Sequence, residues 1–275
     1  MGVGYFYGAR VRPEMRITNQ LVMDVFVPAL IFHVMVQESF HPSQYTWLVV
    51  GGTLLMLGSG LAGYVLARVV GISPRAVMPP AMFSNWANLG LPLYILALGE
   101  IALDGGVMLV VVGNILCFSL GTYIYSGKIS GLEVVKTPII VAVILGILFN
   151  ALEVTMPFFI DKPLEMMGQV AIPLMLFSLG VRLTRVDFRD AHYGLIMAAF
   201  CPLVGVGIAL FLVQVLPLST LHQHTLILFG ALPPAVVNYM LSEQYDCEPD
   251  KVASMVVIGN LAAVATLPLA LMLVL

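Results

Sequence analysis

Charge is scarce in this sequence. Only 10% of its 275 residues are Asp, Glu, Lys or Arg, against about 25% in a soluble globular domain. With 60% hydrophobic residues and a mean hydropathy of +1.01, there is more apolar surface than a water-soluble fold can enclose, and the bilayer must act as solvent. Cysteine is scarce as well. Cys117, Cys201 and Cys247 are scattered, which leaves neither a disulfide framework nor a zinc-ligand spacing. Paired catalytic carboxylates, metal-ligand clusters and His-Asp/Ser constellations are missing from the apolar runs, so a membrane enzyme is not expected. No Lys or Arg lies at the centre of an apolar run. An anion bound there must be held by dipoles and amides.

What is present is a succession of apolar runs of about 20 residues, the length that crosses a bilayer as helix. Lipid offers the backbone no hydrogen-bond partner, which leaves helices or closed barrels, and the continuous runs select helices. The expected spans cover 19–37, 46–70, 76–98, 104–127, 137–158, 163–182, 191–216, 222–242 and 252–275. Residues 1–9 are apolar but too short to cross about 30 Å of hydrocarbon. They read as the end of a first span whose beginning is missing, without the basic segment or cleavage site of a signal peptide. The nine runs are therefore spans two to ten. Arg10, Arg12 and Arg16 follow span one, Arg68 and Arg75 span three, Lys128 and Lys136 span five, Arg182, Arg185 and Arg189 span seven, and Lys251 span nine. Only Lys162 follows an even span. That asymmetry assigns the odd loops to the cytoplasm of a multi-pass protein of the cytoplasmic membrane and puts the C-terminus outside.

Two of the runs are interrupted in matching places. One reads Phe83-Ser84-Asn85-Trp86-Ala87-Asn88-Leu89-Gly90-Leu91-Pro92 and the other Phe229-Gly230-Ala231-Leu232-Pro233-Pro234-Ala235-Val236-Val237-Asn238. A shift of 146 lays Phe83 on Phe229, Asn88 on Pro234 and Pro92 on Asn238. The same shift lays Val110-Val111-Val112-Gly113-Asn114 on Val256-Val257-Ile258-Gly259-Asn260. The expected organisation is an N-terminal repeat over 1–127, a cytoplasmic linker over 128–136 and a C-terminal repeat over 137–275. Five spans per repeat is an odd number, so the halves should be inverted, as in many transporters, with the site at the broken helices four and nine.

Proline removes a backbone donor and pushes its predecessor, here Leu91, Leu232 and Pro233, away from helical angles. Each broken span should split into half-helices joined by unwound backbone. Such backbone survives at mid-membrane only where it is buried in protein or lines a cavity. Half-helix N-termini favour an anion, and the amides of Asn85, Asn88 and Asn238 donate and accept. The expected substrate-binding set is Asn85, Asn88, Gly90, Pro92, Pro233, Pro234 and Asn238, with His33 of span two.

At these residues the sequence resembles the auxin efflux carrier family. The resemblance rests on Asn85-x-x-Asn88-Leu89-Gly90-Leu91-Pro92 and Pro233-Pro234-Ala235-Val236-Val237-Asn238-Tyr239, with support from Val27-Pro28-Ala29-Leu30-Ile31-Phe32 and Ile172-Pro173-Leu174. It implies an all-α fold of ten spans, related to the bile-acid sodium symporters, in which spans four and nine cross. It implies a scaffold of spans one, two, six and seven, through which a homodimer forms, and a mobile core of the others. Substrate would sit at the crossover and move by an elevator-like shift. Family members carry auxin, malate, malonate or unknown solutes, so the resemblance does not choose a substrate.

The remaining intramembrane polar residues keep two readings each. Glu243 could ligate Na⁺, carry a proton or sit as an interfacial carboxylate. Asn114 and Asn260 could support ion coupling or act as interhelical glue. His33 could meet the substrate, respond to pH or bond a neighbouring backbone. Trp86 could line the site or pack the core. The function expected is a secondary transporter of a small organic anion, with the lipid bilayer and no nucleic acid as surroundings. It needs no cofactor and is coupled to Na⁺ or H⁺ or uncoupled. A membrane-embedded solute sensor is the alternative, and a channel is disfavoured because no charged ring is evident.

Overall fold

The structure, a computed structural model, describes residues 2–36, 41–127, 137–152, 154, 156–182, 184 and 190–275. The expected linker, with Lys128 and Lys136, lies outside the described residues, as do Arg185 and Arg189. Among the described residues every regular element is helical. In chain order the α-helices are α1 (Gly2–Val11), α2 (Arg16–Leu21), α3 (Val27–Val36), α4 (Thr46–Val70), α5 (Pro74–Met82), α6 (Leu91–Leu98), α7 (Leu103–Leu116), α8 (Thr122–Ser126), α9 (Pro138–Ala151), α10 (Phe158–Arg182), α11 (Ala191–Val215), α12 (Thr220–Gly230), α13 (Val237–Gln244) and α14 (Pro249–Leu271). Three π-helical turns, Val22–Phe26, Trp86–Gly90 and Cys117–Gly121, join α2 to α3, lead into α6 and join α7 to α8. Such turns are uncommon and concentrate at functional sites.

Among the described residues four segments are long and apolar enough to cross a membrane: Ser43–Val70, Glu100–Ser126, Ala191–Val215 and Pro249–Leu271. Val22–Val36, Trp86–Leu98 and Pro138–Ala151 are shorter apolar helices. The chain divides into two compact units, Met1–Tyr45 with Gly131–Arg185, and Thr46–Ser130 with Val186–Leu275. Each unit draws on both halves of the sequence, so three-dimensional contact groups the chain differently from the linear division at residues 128–136.

In the first unit, α1 lies on α10 at two glycines. A Cβ on Gly8 would stand 2.9 Å from the Val181 Cα, and one on Gly4 would meet the Phe177 carbonyl. α3 packs against α9 and α10 through Met35 beside Gly146 and Leu30 beside Gly168. The core here includes Val27, Leu30, Ile31, Met35, Ala171 and Met175, all buried.

The second unit holds the four long spans. The glycines of α4 face its neighbours: Gly51 meets Leu226 of α12, Gly52 Leu109 of α7, and Gly60 and Gly63 meet Met82 and Ala81 of α5. α11 and α12 approach backbone to backbone, where a Cβ on Gly205 would collide with the Gly230 carbonyl. Ser73, Ile124, Asp190 and Glu248 come together at one end of this unit. The Ser73 N–H donates to Glu248 (3.0 Å), Arg75 Nε to the Ile124 carbonyl (3.2 Å) and Ser254 Oγ to the Asp190 carbonyl (2.9 Å). The Lys251 ammonium stands 5.2 Å from the Tyr193 ring centroid. Burial pushes the Glu248 carboxyl up, but Lys251 and the Ser73 N–H outweigh it and hold the group below its usual value. Beneath this end lies a core of Ile72, Val77, Met197, Val252, Met255 and Val256.

Candidate functional site: a crossover of two broken spans

The two interrupted segments meet inside the second unit. α5 ends at Met82, and Phe83 leaves helical geometry with φ −104° and ψ 94°. α12 ends at Gly230, and the chain stays unwound through 231–236 until α13 begins. Ser84 and Pro234 then pair as a single antiparallel bridge. The Ala235 N–H donates to the Phe83 carbonyl (2.9 Å) and the Asn85 N–H to the Pro233 carbonyl (2.7 Å). The bridge satisfies backbone groups that lipid would leave unpaired.

The break in the first segment lies upstream of the place the prolines suggest. Leu91, which precedes Pro92, is helical with φ −56° and ψ −50°. Pro92 cannot donate to a carbonyl one turn back. The wide turn at Trp86–Gly90, which spaces backbone bonds five residues apart, leads directly into α6 at this proline. Pro92 is thus built into a continuous helix, and the unwinding is displaced to 83–85. In the second segment Pro233 and Pro234 lie within the unwound stretch itself. The pairing register also differs from the sequence shift. Ser84 faces Pro234, an offset of 150 (234 − 84), while the Gly-Asn pairs repeat at 146 (260 − 114). The reason is a shorter return in the second half: 26 residues separate Asn88 from Asn114, and 22 separate Asn238 from Asn260.

Four asparagines lie in this region and play different parts. Asn238 is fully buried, and its amide donates to the Phe83 carbonyl (2.8 Å) and the Ala235 carbonyl (2.9 Å). Carbonyls only accept, so both partners must face the NH₂ group, and Oδ1 is left buried without a partner among the described residues. Asn260 donates to the Pro234 and Val256 carbonyls (2.8 Å each), and its Oδ1 accepts from Asn85 Nδ2 (2.9 Å). Asn114 is buried and bonds back to Val110 of its own helix (2.8 Å). Asn88 is half-buried, and its amide has no hydrogen-bond partner among the described residues.

Packing fixes the crossover from both sides. A Cβ on Gly113 would stand 2.9 Å from the Trp86 ring, and one on Gly259 would stand 2.9 Å from Pro234 Cδ. Trp86 is buried, stacked on Phe229 at 6.2 Å and edge-on to Phe83 at 6.1 Å. Gly90 faces Leu232, whose Cδ1 would be 3.1 Å from an added Cβ, and Pro92 is buried.

Other expected residues take no part in these bonds. His33 belongs to the first unit, where its Nδ1 is 3.0 Å from Asp161 Oδ1. Glu243 is exposed on α13 and accepts from the Tyr239 hydroxyl (3.1 Å). Two residues outside the expected set do reach the crossover. Ser84 stands in the bridge itself; its place inside the broken motif was the signal. The buried Tyr125 hydroxyl donates to the Asn238 carbonyl (3.1 Å). No local pattern announces that contact, because the two residues are 113 apart in sequence.

Three carbonyls at the breaks are thus occupied: Phe83 by Ala235 and Asn238, Pro233 by Asn85, and Pro234 by Asn260. What remains is one buried acceptor, Asn238 Oδ1, and several donors. The turns beginning at Trp86 and Val237 carry first-turn N–H groups with no intrahelical acceptor, of which those of Trp86 and Asn238 bond the Ser84 and Ala235 carbonyls, and Asn88 belongs to the first of these turns.

The pattern of the family described as "membrane transport protein" matches residues 125–271. The chain is also 24% identical to an uncharacterized transporter of Methanocaldococcus jannaschii, in an alignment covering 93% of this chain and 89% of that protein. The chain therefore belongs to the membrane transport protein family, to which the auxin efflux carriers also belong.

Proposed function

We propose that this protein is a secondary carrier of a small organic anion, with its site at the crossover of the two broken spans. The observation that carries this reading is the hydrogen-bond balance there. Asparagine amides and crossing N–H groups occupy the Phe83, Pro233 and Pro234 carbonyls, while the half-buried Asn88 amide and the first-turn N–H groups other than those of Trp86 and Asn238 remain. Donors backed by helix N-termini suit a carboxylate, at about 0.3–1 kcal/mol per helix end and more where buried.

In this reading the second unit carries the site and the first serves as scaffold, consistent with the division of the chain into two compact units. An elevator-like displacement of the site-bearing unit would expose the crossover to each side in turn. The ten spans form two inverted repeats, and the ends holding Arg75 and Lys251 face the cytoplasm.

Uptake of radiolabelled malonate, malate and indole-3-acetate into proteoliposomes tests the reading. Saturable uptake and counterflow that Asn88→Ala abolishes are expected. Uptake that is linear in concentration, or unchanged in Asn88→Ala, contradicts it.

A further inference from the structure

We propose that Ser84 is a second contact for the carried acid, its hydroxyl acting beside the Asn88 amide. The inference rests on the crossover reading and adds to it a residue that neither the asparagine pattern nor the prolines single out.

A hydroxyl in an apolar helix ordinarily bonds back to the carbonyl one turn earlier. Thr53, Ser119, Ser126 and Thr225 all do so, to Val49, Ile115, Thr122 and Leu221. Ser84 does not. It follows Phe83, which has left the helix, and its hydroxyl has no hydrogen-bond partner among the described residues. The side chain is half-buried rather than sealed. Its backbone is held on both sides, by the bond at the Phe83 carbonyl and the bond from the Asn85 N–H, and its own carbonyl accepts from the Trp86 N–H (2.9 Å). The hydroxyl is therefore an unused donor on a fixed stem, the arrangement that binds with little ordering cost.

Its partner across the bridge is Pro234, which has no side-chain donor and lacks the backbone N–H as well. The crossover is therefore polar along the first segment, at Ser84 and Asn88. It is apolar along the second, at Pro233, Pro234, Val236 and Val237, where the NH₂ group of Asn238 is already engaged. A carboxylate accepts two to four hydrogen bonds. Ser84 supplies one from the unwound backbone and Asn88 another from the turn that follows.

The test uses single cysteines at Ser84 and Asn88 in the full chain, reconstituted in vesicles and exposed to the small anionic reagent 2-sulfonatoethyl methanethiosulfonate. The three native cysteines are buried, so wild-type protein sets the background. Ser84→Cys and Asn88→Cys are both expected to label at least tenfold faster than wild type. Ser84→Ala is expected to raise the half-saturating concentration for uptake about five- to tenfold with the melting temperature unchanged, while Ser84→Thr keeps the hydroxyl and recovers most of the loss. Labelling at Asn88→Cys but not at Ser84→Cys, or a Ser84→Ala variant that transports as wild type does, overturns the inference and leaves the crossover reading intact. Absence of labelling at both positions, or uptake of none of malonate, malate and indole-3-acetate by the wild type, overturns the reading and the inference together.

Discussion

Asn88 and Asn238 each stand four residues past the residue that pairs across the crossover, Ser84 in one segment and Pro234 in the other. Their sequence settings invite the same role. Their surroundings give them opposite ones. Asn238 is fully buried with both amide hydrogens on main-chain carbonyls, and Asn88 is half-buried with its amide uncommitted. In the proposed reading one asparagine holds the crossover closed and the other contacts the substrate. The same contrast separates the next pair along the chain. Asn260 reaches across to Pro234, whereas Asn114 turns back on its own helix. On that reading the site is asymmetric, with one half used as frame and the other as binding edge.

The contrast can be broken by substitution. Asn238→Ala has the largest expected effect. It removes two hydrogen bonds in a sealed site and should cost about 2–4 kcal/mol of stability, seen as a lower melting temperature in detergent even without substrate. Asn88→Ala comes next and in a different measurement. Substrate affinity should fall tenfold or more, about 1.4 kcal/mol, while the melting temperature moves no more than a surface substitution would move it.

Asn260→Ala against Asn114→Ala sharpens the comparison. The first severs the bond to Pro234 and strands the Asn85 amide, for about 1–3 kcal/mol of destabilisation. The second removes only a bond within its own helix and should cost less, so equal melting temperatures for the two variants would erase the distinction. The smallest effect concerns pH. Glu248 is held below its usual value in the folded state, so its contribution is present above the unfolded value and is lost as pH falls through the depressed one. Glu248→Gln should flatten the acid limb of the stability profile slightly, the group being partly exposed to solvent.

Much of the fold was legible in the sequence because lipid leaves the backbone few choices. The apolar runs that predict spans at 46–70, 191–216 and 252–275 correspond to α4, α11 and α14. The broken segments were legible as broken, since Pro233-Pro234 and the Asn-rich stretch are out of place in a plain span. Where the first one unwinds was not legible. Pro92 marks it from the sequence, but a π-turn absorbs that proline and the bridge to Pro234 fixes the break at Ser84. The asymmetry of the asparagines was not legible either. Residue type shows what an amide can bond, whereas its partners, Phe83 lying 155 residues from Asn238, are set by tertiary contact. For the same reason His33 gave no hint of Asp161, 128 positions away.

The most direct test measures Asn88→Ala and Asn238→Ala side by side, recording for each the melting temperature without substrate and the affinity for an acid that the wild type transports. The division of labour predicts that Asn88→Ala melts as the wild type does and binds at least tenfold more weakly, while Asn238→Ala melts several degrees lower. An Asn88→Ala variant that binds as the wild type does, or an Asn238→Ala variant of undiminished stability, would contradict it.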